Sequence, residues 1–209
     1  AEWVIATTML LLRGAFLSTT QMLKGGWPRT EAMGHETAGK TLGLIGFGQI
    51  ARYTARLAQT LGMQVIAYDP FVSADDNCWK TITRIDELFA LLRTADIVSL
   101  HVPLDDSTRH LLDDKAIAQM KKGAILVNAA RGGVLDENAL VAAMKSGRIR
   151  GAALDVYETE PLTDSSAAKF ADLPNLVLTP HIAGVTIESN QRVSQVTMEN
   201  VRRVLEASK

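Results

Sequence analysis

The sequence predicts an α/β domain, a doubly wound parallel sheet with helices on both faces. From residue 41 onward, short continuous apolar segments alternate with segments of helical periodicity. Strands buried on both faces form such apolar runs, and parallel neighbours require a crossover helix between them. A chain of 209 residues, 47% of them hydrophobic and 22% charged, is long enough for one domain with a sizeable core.

The first elements of the sheet are predicted as a strand, a helix and a second strand. Residues 41–46 form an apolar run, residues 49–61 have helical periodicity, and residues 64–69 form another apolar run. Residues 85–92 again have helical spacing, and residues 97–101 form the next strand-like run. This alternation is typical of βαβ units in a parallel sheet.

The second half of the chain repeats the pattern with clearer helix ends. Asp136 is placed to cap the N-terminus of one helix, and Gly147 is placed to end that helix. Acidic residues occupy the first turn of the helix before it. In chain order we predict a helix at 113–120, a strand at 124–128, a helix at 136–146, strands at 151–156 and 176–179, and a closing helix at 187–207.

Residues 1–35 do not fit this alternation. An apolar helix is followed by the loop Gly25 to Pro28, which carries Trp27. We expect an arm whose apolar side chains are exposed on a monomer, and such patches mark interfaces, most often of a two-fold homodimer. The alternative is a helix that packs on its own domain or on another one, with a flexible loop. The side chains concerned are Trp3, Val4, Met9, Leu10, Leu11, Phe16, Leu17, Met22, Leu23 and Trp27.

Charge and composition exclude several classes of partner. A net charge of −1 provides no electrostatic footprint for nucleic acid or for an anionic membrane. No apolar run is long enough to span a bilayer. The stretch from Val4 to Leu17 is interrupted by Arg13 and lacks the basic leader of a signal peptide. The single Cys78 cannot form an internal disulfide, which favours a reducing cytoplasm.

A glycine motif lies between the first predicted strand and the first helix of the sheet. Gly46 and Gly48 permit a tight turn and a close approach of the backbone to a pyrophosphate, which free N–H groups at the helix start can bind. Ala51 takes the third motif position, where a small residue allows close helix–strand packing. Asp69 follows the second strand, where an acid binds ribose hydroxyls and repels a 2′-phosphate. We therefore predict a Rossmann-type domain that binds NAD rather than NADP; the alternative is an ordinary glycine-rich turn.

Three polar side chains follow other predicted strands, at the sheet edge where ligands bind. Arg131 has a planar fork of donors that suits a carboxylate. His181 is suited to proton transfer near neutral pH. A carboxylate on the far ring nitrogen of His181 would fix its tautomer and favour the imidazolium, and Glu160 is a candidate for that role.

Each of these residues also has a simpler interpretation. Arg131 alone would be a surface arginine in a turn, and His181 alone would be a helix cap. Glu158 and Glu160 would be solvated loop acids. An arginine, a carboxylate and a histidine at the strand ends of one dinucleotide fold together favour a catalytic site, and we expect no metal ion in it.

Six segments resemble the D-isomer-specific 2-hydroxyacid dehydrogenase family, in that family's order and spacing. They cover residues 41–51, 68–70, 97–104, 127–136, 151–162 and 178–184. The resemblance implies hydride transfer between NAD and C2 of a small D-2-hydroxy acid, with Arg131, Glu160 and His181 as the catalytic residues. Ala51 and Ala183 replace glycines that are common in the family, and neither change removes a required chemical group.

The same resemblance implies which residues contact NAD. Gln49 and Ile50 would lie at the pyrophosphate, beside Gly46 and Gly48, and Asp69 would lie at the ribose. The turn formed by Val102 and Pro103 would lie beside the adenine. The remaining contacts would come from Thr108, Ala129, Ala130, Arg131, Asp155 and the segment His181 to Gly184.

The resemblance also implies a domain organisation. Relatives have a second domain, built mostly from preceding residues, that closes over the substrate. We therefore expect residues 1–209 to be a single NAD-binding domain, with a linker helix and dimer arm at 1–35 and a Rossmann core at 36–184. A C-terminal helix at 185–209 would return toward a substrate domain that is missing from this chain. The start without Met, inside a predicted helix, is typical of a chain with an upstream segment.

Two other functions stay open at this point. A NAD-sensing binding protein, such as the corepressors that share this fold and catalytic trio, would bind NADH with little turnover. The second alternative function is that of a formate or phosphite dehydrogenase of the same fold. Formate dehydrogenases, however, usually carry Gln where this chain has Glu160. The identity of the 2-hydroxy acid does not follow from the sequence, because side-chain selectivity would lie largely in the second domain.

Overall fold

The protein folds around a parallel sheet. A computed structural model describes residues 1–207, except for the side chains of Leu17 and Ala207. The strands are β1 (Thr41–Ile45), β2 (Gln64–Tyr68), β3 (Thr83–Arg84), β4 (Ile97–Leu100), β5 (Ala124–Asn128), β6 (Ile149–Leu154) and β7 (Leu176–Leu178). Within the described residues these seven strands have the order β3-β2-β1-β4-β5-β6-β7, and every pairing is parallel. The predicted doubly wound fold class is confirmed.

Helices cover both faces of this sheet. They are α1 (Glu2–Arg13), α2 (Thr19–Leu23), α3 (Gln49–Thr60), α4 (Leu88–Thr94), α5 (Asp114–Gln119), α6 (Glu137–Lys145), α7 (Asp164–Ala167) and α8 (Ile187–Ala207). The α1 and α3 side chains form one apolar cluster with the sheet, and those of α4, α5 and α6 form another. Every residue of β1, β4 and β5 is buried, as expected for strands between two helical layers.

The position of α1 corrects the prediction that the whole N-terminal helix has no place on the sheet. It packs against α3, β5 and β6, so Val4 and Leu11 are buried, and Trp3 and Leu10 pack against the same cluster. The reason is that α3 packs on β2, whereas α1 covers β5 and β6. The exposed apolar side chains of the N-terminal region instead come mainly from the segment after α1, and they include Phe16, Met22, Leu23, Trp27 and Met33.

The short elements that were not predicted include β3 and α7, and one helix starts later than expected. The edge strand β3 has only two residues, too few for a periodic pattern, and it pairs with β2 at Ile66 and Ala67. The helix predicted at 85–92 therefore begins at Leu88, after the extended residue Glu87. Thr163 starts α7 with a capping box to Ser166, in a segment without clear apolar periodicity.

The helix ends follow the predicted chemistry. The Asp136 carboxylate accepts hydrogen bonds from the N–H groups of Asn138 and Ala139, and Gly147 adopts a left-handed φ of 72° after α6. Asp113 caps α5 in the same way through the N–H of Ala116. None of the helices in residues 1–207 is both long and apolar enough to cross a membrane.

Candidate active site and cofactor cleft

The site lies at the carboxyl edge of the sheet, where the strand order reverses between β1 and β4. Gly46 follows β1 with a φ of 87°, and a Cβ there would lie 2.7 Å from the carbonyl oxygen of His101. This turn therefore requires glycine. A Cβ on Gly48 would meet no protein atom within 4 Å, so the space in front of the start of α3 is open. Among the described residues no side chain caps α3, which leaves its first N–H groups available to an anion.

Asp69 ties the end of β2 to this glycine turn. One carboxylate oxygen accepts a hydrogen bond from the N–H of Phe47 at 2.8 Å, and the other accepts one from the N–H of Phe71 at 2.9 Å. The residue stays partly exposed, so its oxygens can accept further hydrogen bonds. Ala51 is fully buried under the turn, as the third motif position requires.

A cleft of about 480 Å³ joins the glycine turn to the loops after β4 and β5. Many of the predicted NAD contacts line it, namely Gly48, Gln49, Ile50, Val102, Pro103, Ala129, Ala130, Arg131 and Gly184. The other predicted contacts are outside its lining, namely Gly46, Asp69, Thr108, Asp155 and His181. The structure thus brings the middle of the predicted cofactor site together in one cleft.

Thr108 is buried and holds the loop that follows β4. Its hydroxyl donates to the carbonyl oxygen of Pro103 at 2.7 Å and accepts from the N–H of Asp105 at 2.8 Å. The hydroxyl therefore closes the loop behind the Val102–Pro103 turn. A direct contact of Thr108 with NAD stays a prediction.

The loop that carries Arg131 is shaped by Asn128, the last residue of β5. The Asn128 side chain accepts a hydrogen bond from the N–H of Ala130 and donates one to the carbonyl oxygen of Arg131, both at 3.0 Å. A Cβ on Gly132 would lie 1.8 Å from the carbonyl oxygen of Tyr157, so the loop lies directly on the next one. Arg131 is exposed at the cleft. Asn128 was not predicted as a site residue, although an amide at the end of a buried strand is a usable signal.

Glu160 and His181 form a direct pair. A Glu160 carboxylate oxygen lies 2.7 Å from His181 Nδ1, and the other oxygen accepts a hydrogen bond from the N–H of Tyr157 at 2.9 Å. Burial alone would raise the pKa of Glu160, but the hydrogen bonds from His181 and Tyr157 outweigh it and hold that pKa below its usual range. The positive charge of Arg131 acts on Glu160 in the same direction. The structure therefore places Glu160 and His181 in direct contact, and the Arg131 charge acts on Glu160 from the neighbouring loop.

Asp155 holds the loop on which His181 sits. Its buried carboxylate accepts hydrogen bonds from the Thr179 hydroxyl at 2.5 Å, from the N–H of Ile182 at 2.8 Å and from the N–H of Ala183 at 2.7 Å. His181 lies between these contacts with a left-handed φ of 53°. A cofactor contact of Asp155 stays a prediction, while its hydrogen bonds give it a positioning role.

Tyr157 adds a second brace beneath this loop. Its hydroxyl donates to backbone carbonyl oxygens and reaches that of Thr179 at 2.9 Å. Burial and the nearby Asp155 charge raise the pKa of Tyr157 to about 12, so the hydroxyl stays protonated and remains a donor at neutral pH.

Glu158 is not a freely solvated loop acid, which was the simpler interpretation of this residue from the sequence. Its carboxylate lies 3.2 Å from His110 Nε2 and accepts a hydrogen bond from the N–H of Glu137. The buried Glu137 carboxylate accepts in return from the N–H of Glu158 at 2.8 Å and pairs with Lys169. This network fastens the loop that carries Glu160 to the start of α6.

His101 lines the cleft, although it was not predicted as a site residue. It follows β4, and its Nε2 lies 3.0 Å from the Ser99 hydroxyl. Burial lowers the pKa of His101 to about 4, so the ring is neutral near pH 7. The signal that could have found it is its place directly after an apolar strand at the ligand edge.

The residues present fit a dinucleotide. The turn at Gly46 excludes a side chain, the space before Gly48 is open, and an acid stands at the end of β2. A family model described as "D-isomer specific 2-hydroxyacid dehydrogenase, NAD binding domain" matches residues 5–183. The chain belongs to this family. As its NAD-binding domain, it has NAD as its cofactor.

Individual relatives of this dehydrogenase family agree with the match. The chain is 56% identical to the (S)-sulfolactate dehydrogenase of Chromohalobacter salexigens over 205 residues, which cover 98% of this chain and 66% of that protein. It is 41% identical to the hydroxypyruvate reductase of Thermotoga maritima, again over 98% of this chain and 66% of that protein. The crystal structure of a glyoxylate reductase from Paecilomyes thermophila superposes with a TM-score of 0.88 and 33% identity, over 100% of this chain and 62% of that one. The chain thus spans about two thirds of the length of these dehydrogenases.

Proposed function

We propose that the full-length protein is an NAD-dependent oxidoreductase that interconverts a small D-2-hydroxy acid and its 2-oxo acid. The observation that carries this proposal is the 2.7 Å contact between Glu160 and His181 Nδ1, at the same sheet edge as Arg131. An exposed histidine whose far nitrogen is held by a carboxylate is suited to proton transfer.

Each residue of the trio has a separate part in the proposed reaction. Arg131 binds the substrate carboxylate through its planar fork and orients the C2 carbonyl. His181 donates a proton to the carbonyl oxygen in reduction and takes it back from the hydroxyl in oxidation. Glu160, whose low pKa keeps it ionised at neutral pH, holds the ring orientation and stabilises the imidazolium. When bound, NADH would supply the hydride for C2, and NAD⁺ would accept it in the reverse direction.

We propose that the cofactor is held by the cleft and its borders. The N–H groups at Gly48, Gln49 and Ile50 would face the pyrophosphate, because they lie at the uncapped start of α3. Asp69 would bind the ribose. The remaining candidates are Gly46, Val102, Pro103, Thr108, Ala129, Ala130, Arg131, Asp155, His181 and Gly184, of which Thr108 and Asp155 also have the structural roles described above.

The choice of acid is tested by a substrate panel. Full-length protein with NADH would be assayed against sulfopyruvate, hydroxypyruvate, glyoxylate, pyruvate and phosphohydroxypyruvate. We place sulfopyruvate first because of the 56% identity to a sulfolactate dehydrogenase. Turnover of at least one 2-oxo acid supports the proposal. Tight NADH binding without turnover of any of them would instead support a NAD-sensing binding protein.

A formate or phosphite dehydrogenase is less well supported than a 2-hydroxyacid dehydrogenase. Glu160 contacts His181 Nδ1 at 2.7 Å, and the family resemblance associates formate oxidation with Gln at the position of Glu160. NAD⁺ reduction by formate or phosphite, without activity on 2-hydroxy acids, would reverse this assignment.

We also propose a homodimer in the cytoplasm. The support for a dimer is the group of exposed apolar side chains between residues 16 and 33, among them Leu23 and Trp27 with 84% and 77% of their surface exposed. The single Cys78 supports a reducing compartment. We propose further that α8, whose residues Ile187, Val193 and Met198 are exposed, packs against a substrate domain of the full-length protein.

A further inference from the structure

A second cavity lies at the opposite edge of the sheet from the proposed active site. Its volume is about 190 Å³, and it sits at the amino ends of β1, β4, β5 and β6, below the last turn of α1. Polar side chains that line it are His35, Lys40, Asp96, Lys121, Lys122 and Arg150. Nothing in the proposed reaction uses any of these residues.

Positive charge in this cavity is only partly compensated. Asp96 is the acid in its lining, and both of its oxygens are occupied: one accepts from the N–H of Thr41 at 2.8 Å, and the other contacts Lys121 Nζ at 3.0 Å. The other three cations of the lining make no hydrogen bond or ion pair through their side chains anywhere in residues 1–207. These are Lys40, Lys122 and Arg150. Three cations without a direct side-chain partner therefore line one small cavity, and of these Lys40 also acts electrostatically on Asp96 at longer range.

His35, at the rim of the cavity, lies in the positive potential of these cations. Burial lowers its pKa, and the charges of Arg150 and Lys40 lower it further, against the opposing effect of Asp96. Lys40, which precedes β1, and Arg150, which lies in β6, therefore both act on His35.

The backbone contributes little to this cavity's ligand preference. Backbone N–H groups of the lining already donate hydrogen bonds within the protein. The N–H of Asp96 donates to the carbonyl oxygen of Thr41, the N–H of Gly123 donates to the carbonyl oxygen of Arg148, and the N–H of Ile125 donates to the carbonyl oxygen of Asp96. Recognition therefore rests on lysine and arginine side chains, which bind phosphate-like groups as point charges and as a planar fork. Such a site selects a compact multivalent anion over a monocarboxylate, because each added negative charge offsets one of the unpaired cations.

We propose that this cavity binds a small, doubly charged tetrahedral oxyanion, either inorganic phosphate or sulfate or the phosphate group of a small metabolite. The volume agrees with this ligand class, since pockets for larger organic ligands occupy roughly 300–1,000 Å³. The proposal is independent of the function assigned to the Arg131 edge.

The test follows the His35 ring by NMR in the full-length protein, with the resonance assigned from a His35→Asn variant. Its pH titration is recorded with inorganic phosphate and with chloride at equal ionic strength. We expect phosphate to raise the pKa of His35 in a saturable manner, because a bound dianion offsets the field of Arg150 and Lys40. The double variant Lys40→Gln/Arg150→Gln should lose the phosphate-induced change.

Two further variants make the result specific. Lys115→Gln/Lys145→Gln removes two exposed charges from α5 and α6 and should keep the wild-type response. Lys122→Gln, at an exposed residue, should weaken phosphate binding by about tenfold without a folding defect. No phosphate-specific change in His35, or the same change in both double variants, would overturn the proposal. Tighter binding of glycerol 3-phosphate than of inorganic phosphate would identify a metabolite as the source of the group, and equal binding would identify the free ion.

Discussion

The paired residues His181 and Glu160 determine how a proton could move at this site. If the full-length protein has the proposed activity, His181→Ala should lower kcat by about 10²–10⁴-fold, the usual contribution of a positioned acid–base. Glu160→Gln should cost less, because the amide can still accept a hydrogen bond but no longer stabilises the imidazolium. Steady-state kinetics with the best 2-oxo acid measures both. His35→Ala, at the opposite edge of the sheet, is the matched control, and an unchanged kcat in His181→Ala would contradict the assignment.

In the proposed reaction, Arg131 binds the substrate carboxylate through its planar fork. Arg131→Lys keeps the charge but loses bidentate geometry, so KM for the acid should rise and kcat should fall, with kcat/KM reduced by about 10–100-fold. Arg93→Lys, at an exposed arginine in α4, should leave both constants unchanged. A normal KM in Arg131→Lys would mean that the carboxylate is bound elsewhere.

Asp69 sets the expected preference for NAD(H). Its carboxylate would face a 2′-phosphate as a like charge, and no arginine follows at positions 70–74, so Kd for NADPH should exceed that for NADH by at least about tenfold. Fluorescence titration of each cofactor measures the ratio. Asp69→Asn should reduce the ratio, whereas Asp75→Asn, at an exposed acid in the same loop, should not. Equal or tighter NADPH binding by the unaltered protein would refute the prediction.

At the scale of elements, the loop after β7 depends on a carboxylate from the loop after β6. Asp155→Asn replaces an acceptor with an amide group, and the N–H of Ala183 or of Ile182 would then face a donor. A buried unsatisfied donor costs about 1–3 kcal/mol, so the free energy of unfolding and Tm should fall. The loss of kcat should exceed that of Asp164→Asn, an exposed acid in α7. Thermal denaturation and kinetics that match the wild type would show that the loop holds without Asp155.

At the scale of the whole molecule, the segment between α1 and β1 leaves a surface that one chain does not cover. Light scattering of the full-length protein at micromolar concentration should give the mass of a dimer. Leu23→Ser/Trp27→Ser should shift the mass toward a monomer, because it removes the two most exposed large side chains of this segment. Phe71→Ser, at an apolar residue that is 89% exposed outside the segment, is the control. A monomer mass for the unaltered protein would reject the dimer.

The sequence alone was sufficient for the parallel sheet and the glycine turn. Their signals are local: continuous apolar runs mark the central strands, and Gly46, Gly48 and Asp69 recur at a fixed spacing along the chain. The Arg131, Glu160 and His181 candidates also followed from local position, since each comes soon after a strand and all parallel strands end at one edge.

Only the tertiary structure decided what depends on contacts between distant segments. It placed α1 on the sheet, where an apolar helix can bury its side chains as readily as on a partner, and it paired the two residues of β3 with β2. It also gave positioning roles to Asp155, predicted as a cofactor contact, and to Glu158, for which a solvated loop acid was the alternative, because their partners lie on other loops. The basic cavity arises in the same way, since Lys40, Lys122 and Arg150 are far apart in the chain and meet only because their strands begin at one edge.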